Sequence, residues 1–379
     1  MRKLLLFVAF FTSISHYSQK TSLIIPSSKL QEDREITIIL PTSYEKENQK
    51  RYPLLVVLDG EYLLAPFQGA VNFACYWDDI PEIIIVAINQ NKNGQRYIDT
   101  EVNESNGLPI EKGSQFFEFI GQELLPYVEK NYRLSAFKMI AGHDVTAGFI
   151  NFYLYKDQPL FNAYISLSPE LSKDMEKQIP ERLKTITQPT FYYISTSNSD
   201  VKKMQKRILE LDASIKSVTN PNLNYKLDNF TNASHYSSVL NALPEALYQL
   251  FAIYQPISPN EFNEKIATLP SGYVDYLKNK YTLIEKNLNV KMPIRYSDFK
   301  AIEAAILKNK AFAELEQLSN LADKYYPKSM LGNYQLAMMY QKTADYPKAI
   351  KYYQKAYSKE EIGDLTKTLM LDNIEKLKK

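Results

Sequence analysis

Cysteine is nearly missing from this 379-residue chain, and Cys75 stands alone. An intrachain disulfide is therefore excluded. Cys75 lies in the apolar stretch 71–77 and reads as a core thiol. A chain of this size has core enough to be stable without cross-links. Histidine is almost as scarce: there are three, and one of them, His16, lies close to the N-terminus. Two further histidines and one cysteine argue against a zinc site. An excess of charge of either sign is also missing, with 45 Lys and Arg against 43 Asp and Glu. That balance argues against a nucleic-acid binder, which needs a basic stripe. No Gly-rich phosphate loop of the form G-x-x-x-x-G-K is present, and no cofactor is expected. Beyond the N-terminus no apolar run is long enough to span a bilayer.

What is present begins with a leader-like segment. Arg2 and Lys3 precede an eight-residue apolar run, Leu4–Phe11, followed by small residues at Ser13, Ser15 and Ser18. The run is too short to span a membrane as a mature helix. The pattern predicts a signal peptide over residues 1–18 and an exported product, periplasmic or secreted. Sequons at Asn103, Asn229 and Asn232 would matter only in a host that glycosylates.

From residue 34 to 253, short apolar runs alternate with helix-length segments. Residues 35–40, 52–58, 83–88, 137–141, 163–167 and 190–194 read as strands, most of them buried on both faces. Residues 116–132, 146–155 and 238–253 carry helical spacing. The alternation predicts an α/β fold, a mostly parallel sheet flanked by helices. The polar stretch 90–113 reads as a long loop after a central strand and a candidate lid. Past residue 256 the strand-like runs stop. Leu336, Ala337, Tyr340, Tyr346, Ala349, Ile350, Tyr353 and Ala356 follow a tetratricopeptide-like helix pair, and a 34-residue step back to Ile302, Ile306 and Ala322 keeps the register. The expected division is a sheet domain over 19–255, a helical linker over 256–295 and tetratricopeptide-like repeats over 296–379.

The chemistry centres on Gly142-His143-Asp144-Val145-Thr146-Ala147-Gly148. A strand precedes it and a helix follows, the context of a nucleophile elbow. His235, just before the last long helix of the first domain, sits where the histidine of such a site is expected. Asp200, after the strand 190–194, is the matching acid, or else a plain N-cap for the next helix. Backbone N–H groups of Val145 and of Glu61 or Tyr62 would form the oxyanion-type donors.

Several stretches resemble the putative-esterase family of α/β-hydrolases, which includes feruloyl and siderophore esterases. They are residues 34–41, 52–60, Arg96–Thr100, 117–133, 141–143, 161–169 and 235–237. The resemblance implies a carboxylic-ester hydrolase. In that family the elbow reads Gly-His-Ser with a glycine two residues on, whereas this chain has Asp144 and Thr146. Three readings follow. The site has decayed into a binding cleft, with Asp144 paired to His235 and raising its pKa. Or Asp144 is itself a carboxylate nucleophile acting on an ester or another electrophile. Or Thr146 or Ser168 supplies a residual activity. The first reading makes the protein a binding or scaffold protein. A small acyl or carbonyl ligand would sit in the cleft, and a protein or peptide partner on the helical repeats.

Overall fold

The computed structural model describes residues 20–90 and 92–378. The expected signal peptide lies outside the described residues. Eight strands form one sheet in the order β1-β2-β4-β3-β5-β6-β7-β8. They are β1 (Lys20–Ser27), β2 (Glu32–Ile39), β3 (Tyr52–Val57), β4 (Ile84–Ile88), β5 (Leu134–His143), β6 (Ala163–Leu167), β7 (Thr190–Ser199) and β8 (Leu223–Ser234). β1 and β2 pair antiparallel, as do β2 and β4; every later pairing is parallel. β3, β4 and β6 are buried at every position, which is why they read as continuous apolar runs.

β1 and β8 escape a reading by hydrophobic runs. They are the two edges, and each is largely polar or half-exposed. Helix Gly60–Tyr76 and helix Ser237–Leu250 cover one face of the sheet. The segments 111–131, 145–155, 175–185 and 202–216 cover the other. The stretch expected as one helix over 116–132 is wound as a π-helix at Phe119–Leu124 before returning to α at Leu125–Asn131. Pro126 has no N–H with which to close an α-helical bond to Gln122.

The stretch 90–113 is not the open loop expected of it. It holds a short helix, Gln95–Asp99, a bridge between Val102 and Pro109, and the start of the helix Glu111–Glu118. A buried ion pair fixes it, in which Arg34 donates to both oxygens of Asp99 and Gln90 Nε2 donates to Asp99 at 2.9 Å. Cys75 is half-buried, its thiol donating to the carbonyl of Pro81 at 3.3 Å. Burial pushes that thiol up to about 12, so it stays protonated.

The C-terminal third is helical, with helices Tyr273–Leu288, Tyr296–Lys308, Glu314–Tyr325, Leu331–Lys342, Tyr346–Tyr357 and Lys367–Lys378. Its first helix does more than connect. Tyr273, Leu277, Ile284 and Leu288 are buried in the same apolar core as the Gly60–Tyr76 face of the sheet. Arg295 fastens the junction. It donates to the carbonyl of Tyr254 at 2.7 Å, lies 4.4 Å over that ring and pairs with Asp78. No helix among the described residues is long and apolar enough to cross a membrane.

Candidate functional site

β5 ends at His143, and the chain turns sharply into the helix Val145–Phe149. Asp144 takes the turn at φ 63°, ψ −123°, a conformation that costs a non-glycine residue roughly 1–3 kcal/mol. The turn is held by neighbours on the next strand: Asp144 N–H donates to Leu167 O at 3.0 Å, and Glu170 N–H donates to Asp144 O at 3.0 Å. Gly142 is obligatory in this turn, because a Cβ there would lie 2.7 Å from the carbonyl carbon of Thr146. A Cβ on Gly148 would lie 1.9 Å from the carbonyl oxygen of Glu170.

On one side of the turn stand His235 and Asp200. His235 Nδ1 is 2.7 Å from Asp200 Oδ1. That carboxylate is saturated by donors: Thr196 Oγ1 at 2.8 Å, the N–H of Val201 at 2.8 Å, and Ser168 Oγ. Burial alone would raise the Asp200 pKa, but His235 and these donors bring it down to about 2. The hydrogen bond to Asp200 raises the pKa of His235 against the effect of burial. With its Nδ1 so engaged, His235 is built as an oriented acid–base group.

On the other side the expected Asp144–His235 pairing is replaced by a different one. Arg96 Nη1 donates to Asp144 Oδ2 at 3.1 Å, and Arg96 Nη2 donates to the carbonyl of His143 at 3.0 Å. The same guanidinium forks onto Asp59, with Nε at 2.8 Å from Oδ1 and Nη2 at 3.1 Å from Oδ2. Asp59 is fully buried and Arg96 is half-buried. Burial works against the charged guanidinium, yet the Asp59 carboxylate outweighs it and raises the Arg96 pKa. Asp144 thus has a guanidinium within reach, a fixed charge that an imidazole does not match.

Thr146 belongs to the same network. Its hydroxyl is 2.6 Å from Asp59 Oδ2 and accepts from the N–H of His143 at 2.9 Å. Instead of crowding the strand, the threonine is accommodated by a hydrogen bond that a glycine could not make. His143 is buried, its Nδ1 2.9 Å from the Tyr62 hydroxyl, which also donates to Asp59 at 3.1 Å. Burial, and then the neighbouring His235 ring at 4.6 Å, lower the His143 pKa to about 4. Two adjacent imidazoles are thereby pushed in opposite directions.

The oxyanion-type donors fare unequally. Val145 opens its helix, where N–H groups have no intrahelical acceptor. Tyr62 N–H is spent on the carbonyl of Asp59 at 3.2 Å, because the chain begins a helix there. Tyr62 therefore contributes its hydroxyl to the site and not its N–H. Glu61, beside it in that helix, turns its carboxylate to the N–H of Gln90 at 3.0 Å. Ser168 is fully buried and donates to Asp200. Among the described residues no group of three or more His, Cys, Asp or Glu could hold a metal ion.

Reading motifs missed Asp59 and the role of Arg96. Asp59-Gly60 looks like an ordinary strand-ending turn. Arg96 lies outside the strands and helices that carry the elbow. The available signal was that both lie in stretches that resemble the family, 52–60 and Arg96–Thr100.

Three comparisons bear on this arrangement. The family model described as putative esterase matches residues 27–208. An uncharacterised protein from Capnocytophaga ochracea superposes with a TM-score of 0.84 at 29% identity, over 95% of this chain and 99% of that one. An IroE-like serine hydrolase from Shewanella oneidensis gives a TM-score of 0.61 at 20% identity, over 81% and 99%. The BES protein from Bacillus cereus gives 0.52 at 21%, over 65% and 98%. No curated protein matches the chain in sequence. The Capnocytophaga protein shares the sheet and the helical part together. Residues 27–208, most of the sheet domain, match the putative-esterase family, and the sheet with its flanking helices has the α/β-hydrolase arrangement.

Proposed function

We propose that this protein is an exported, catalytically silent member of its esterase family that works by binding. Its elbow cleft would take a small acyl or carbonyl ligand, and its tetratricopeptide-like helices a protein or peptide partner. The observation that carries the reading is the ion pair of Asp144 with Arg96 at the elbow, 3.1 Å. A carboxylate that attacks an ester carbonyl forms a tetrahedral adduct with two leaving groups. The carboxylate is far the better of the two, so the adduct collapses back to the ester instead of expelling alkoxide. Pairing with a guanidinium lowers the nucleophilicity of Asp144 further. The same pairing weighs against Asp144 acting on an alkyl electrophile, because that attack needs the carboxylate unencumbered. His235 and Asp200 remain as an oriented pair, while the Thr146 hydroxyl at the elbow is engaged by Asp59 and the Ser168 hydroxyl by Asp200. Support for export comes from Arg2, Lys3 and the apolar run that follows.

The test is an ester-hydrolysis assay on the purified protein with short-chain p-nitrophenyl esters. The wild type should show no turnover above the uncatalysed rate. Turnover by the wild type that disappears in Asp144→Ala would overturn the reading and make Asp144 a nucleophile.

A further inference from the structure

A groove of about 450 Å³ runs between helix Tyr273–Leu288 and helix Glu314–Tyr325, with the connecting residues 291–294 along its length. It is remote in sequence from the elbow, the histidine and the acid, and the cleft chemistry does not use it. Its floor is apolar: Ile294 and Leu321 are buried there, with Tyr325 half-buried at one wall. Tyr281 also lines it, but its hydroxyl is already spent on Asp298 Oδ2 at 2.8 Å. The floor therefore presents carbon and no unmet polar group.

The rim is charged and lopsided. Lys278, Lys291 and Lys324 are exposed along it, against one carboxylate, Glu285. This departs from the whole chain, where bases and acids nearly cancel. Lys278 has an exposed neighbour in Asp275 at 3.3 Å, a surface pair too weak to withdraw it from a partner. Lys324 lies 5.5 Å over the Tyr325 ring, which holds its ammonium above the apolar wall. A trough with a carbon floor and an ammonium rim selects a chain that offers apolar side chains downward and carboxylates outward. A nucleic acid would fit poorly, since it needs a continuous basic stripe and has no aliphatic side chain to seat on the floor.

We propose that this groove docks an acidic peptide segment of a partner protein, with apolar side chains between its carboxylates. The proposal rests on the reading that the helical part takes a peptide partner, and it does not depend on whether the elbow cleft is silent.

Fluorescence anisotropy on the full chain tests it, with a short fluorescein-labelled peptide that alternates glutamate with leucine and phenylalanine. The peptide should bind, and binding should weaken as salt is raised, because the rim charges are exposed. Lys291→Glu/Lys324→Glu should weaken it by about tenfold or more. Lys291→Ala/Lys324→Ala should weaken it less, with melting curves of both variants matching the wild type. A peptide with serine in place of the apolar residues should bind more weakly than the parent. The proposal fails if the parent peptide does not bind, or if a lysine-for-glutamate peptide binds equally. It also fails if the double variants bind unchanged or a single-stranded oligonucleotide displaces the peptide. Self-association of the wild type that the glutamate variant abolishes would assign the groove to a second copy of this chain and overturn the proposal as well.

Discussion

On one side of the elbow His235 meets Asp200 at 2.7 Å; on the other, Arg96 meets Asp144 at 3.1 Å and Asp59 at 2.8 Å. The first side keeps the parts of a proton-transfer pair, an imidazole and a carboxylate already saturated with donors. The second side spends its charges on one another. The difference shows that Asp144 is embedded in a set of charged and hydroxyl groups. Asp144 brings a carboxylate, Arg96 neutralises it, and Thr146 gives Asp59 a further donor. The carboxylates at the elbow are met by donors within the fold, while the buried Nε2 of His143 has no hydrogen-bond partner.

That comparison can be broken first at Arg96. Arg96→Met leaves Asp59 buried without its counter-charge, and removing one partner of a buried pair costs about 3–5 kcal/mol. Urea denaturation should show a loss of that size, and Asp59→Asn in the same chain should return much of it. Arg96→Met that unfolds at the wild-type midpoint would show that the network is ornamental and that the two sides of the elbow differ less than described.

A smaller effect separates the two histidines. His235 is raised by Asp200, so its contribution is fully present below the unfolded-state value near 6.5 and is lost as pH rises through its folded value. Asp200 is depressed to about 2, so its contribution is present above about 4 and is lost as pH falls toward that value. The pair is therefore most favourable between about pH 4 and 6.5. His143 runs the other way: depressed to about 4, it favours the fold when neutral, above about 6.5, and loses that as pH falls. Titration of the imidazole proton signals by NMR should place His235 above its ordinary range and His143 below it. Coincident titrations would remove the asymmetry.

Much of this was legible in the sequence, and the reasons differ by element. The buried strands β3, β4 and β6 announce themselves because both faces are apolar. β1 and β8 do not, because edge strands carry polar residues on their open sides. His235 stood out by rarity and chain order, and Asp200 by chain order. Arg96 did not, since nothing in its local sequence says that a buried Arg34–Asp99 pair will hold its short helix over the elbow. The placing of Arg96 is a tertiary fact, and it decides what Asp144 does. The helices 273–288 and 296–308 were visible by composition. Their merging with the sheet-domain core through Arg295, Tyr254 and Asp78 was not.

The claim at the centre of this account is that the elbow lacks a working nucleophile because of what stands at Asp144. Reaction with an alkyl fluorophosphonate, read by intact mass, tests it most directly. The wild type should gain no adduct, while Asp144→Ser/Thr146→Gly should gain one per chain at the introduced serine, activated by His235. A wild-type adduct on any serine, Ser168 included, would contradict the account, and so would a folded double variant that stays unlabelled.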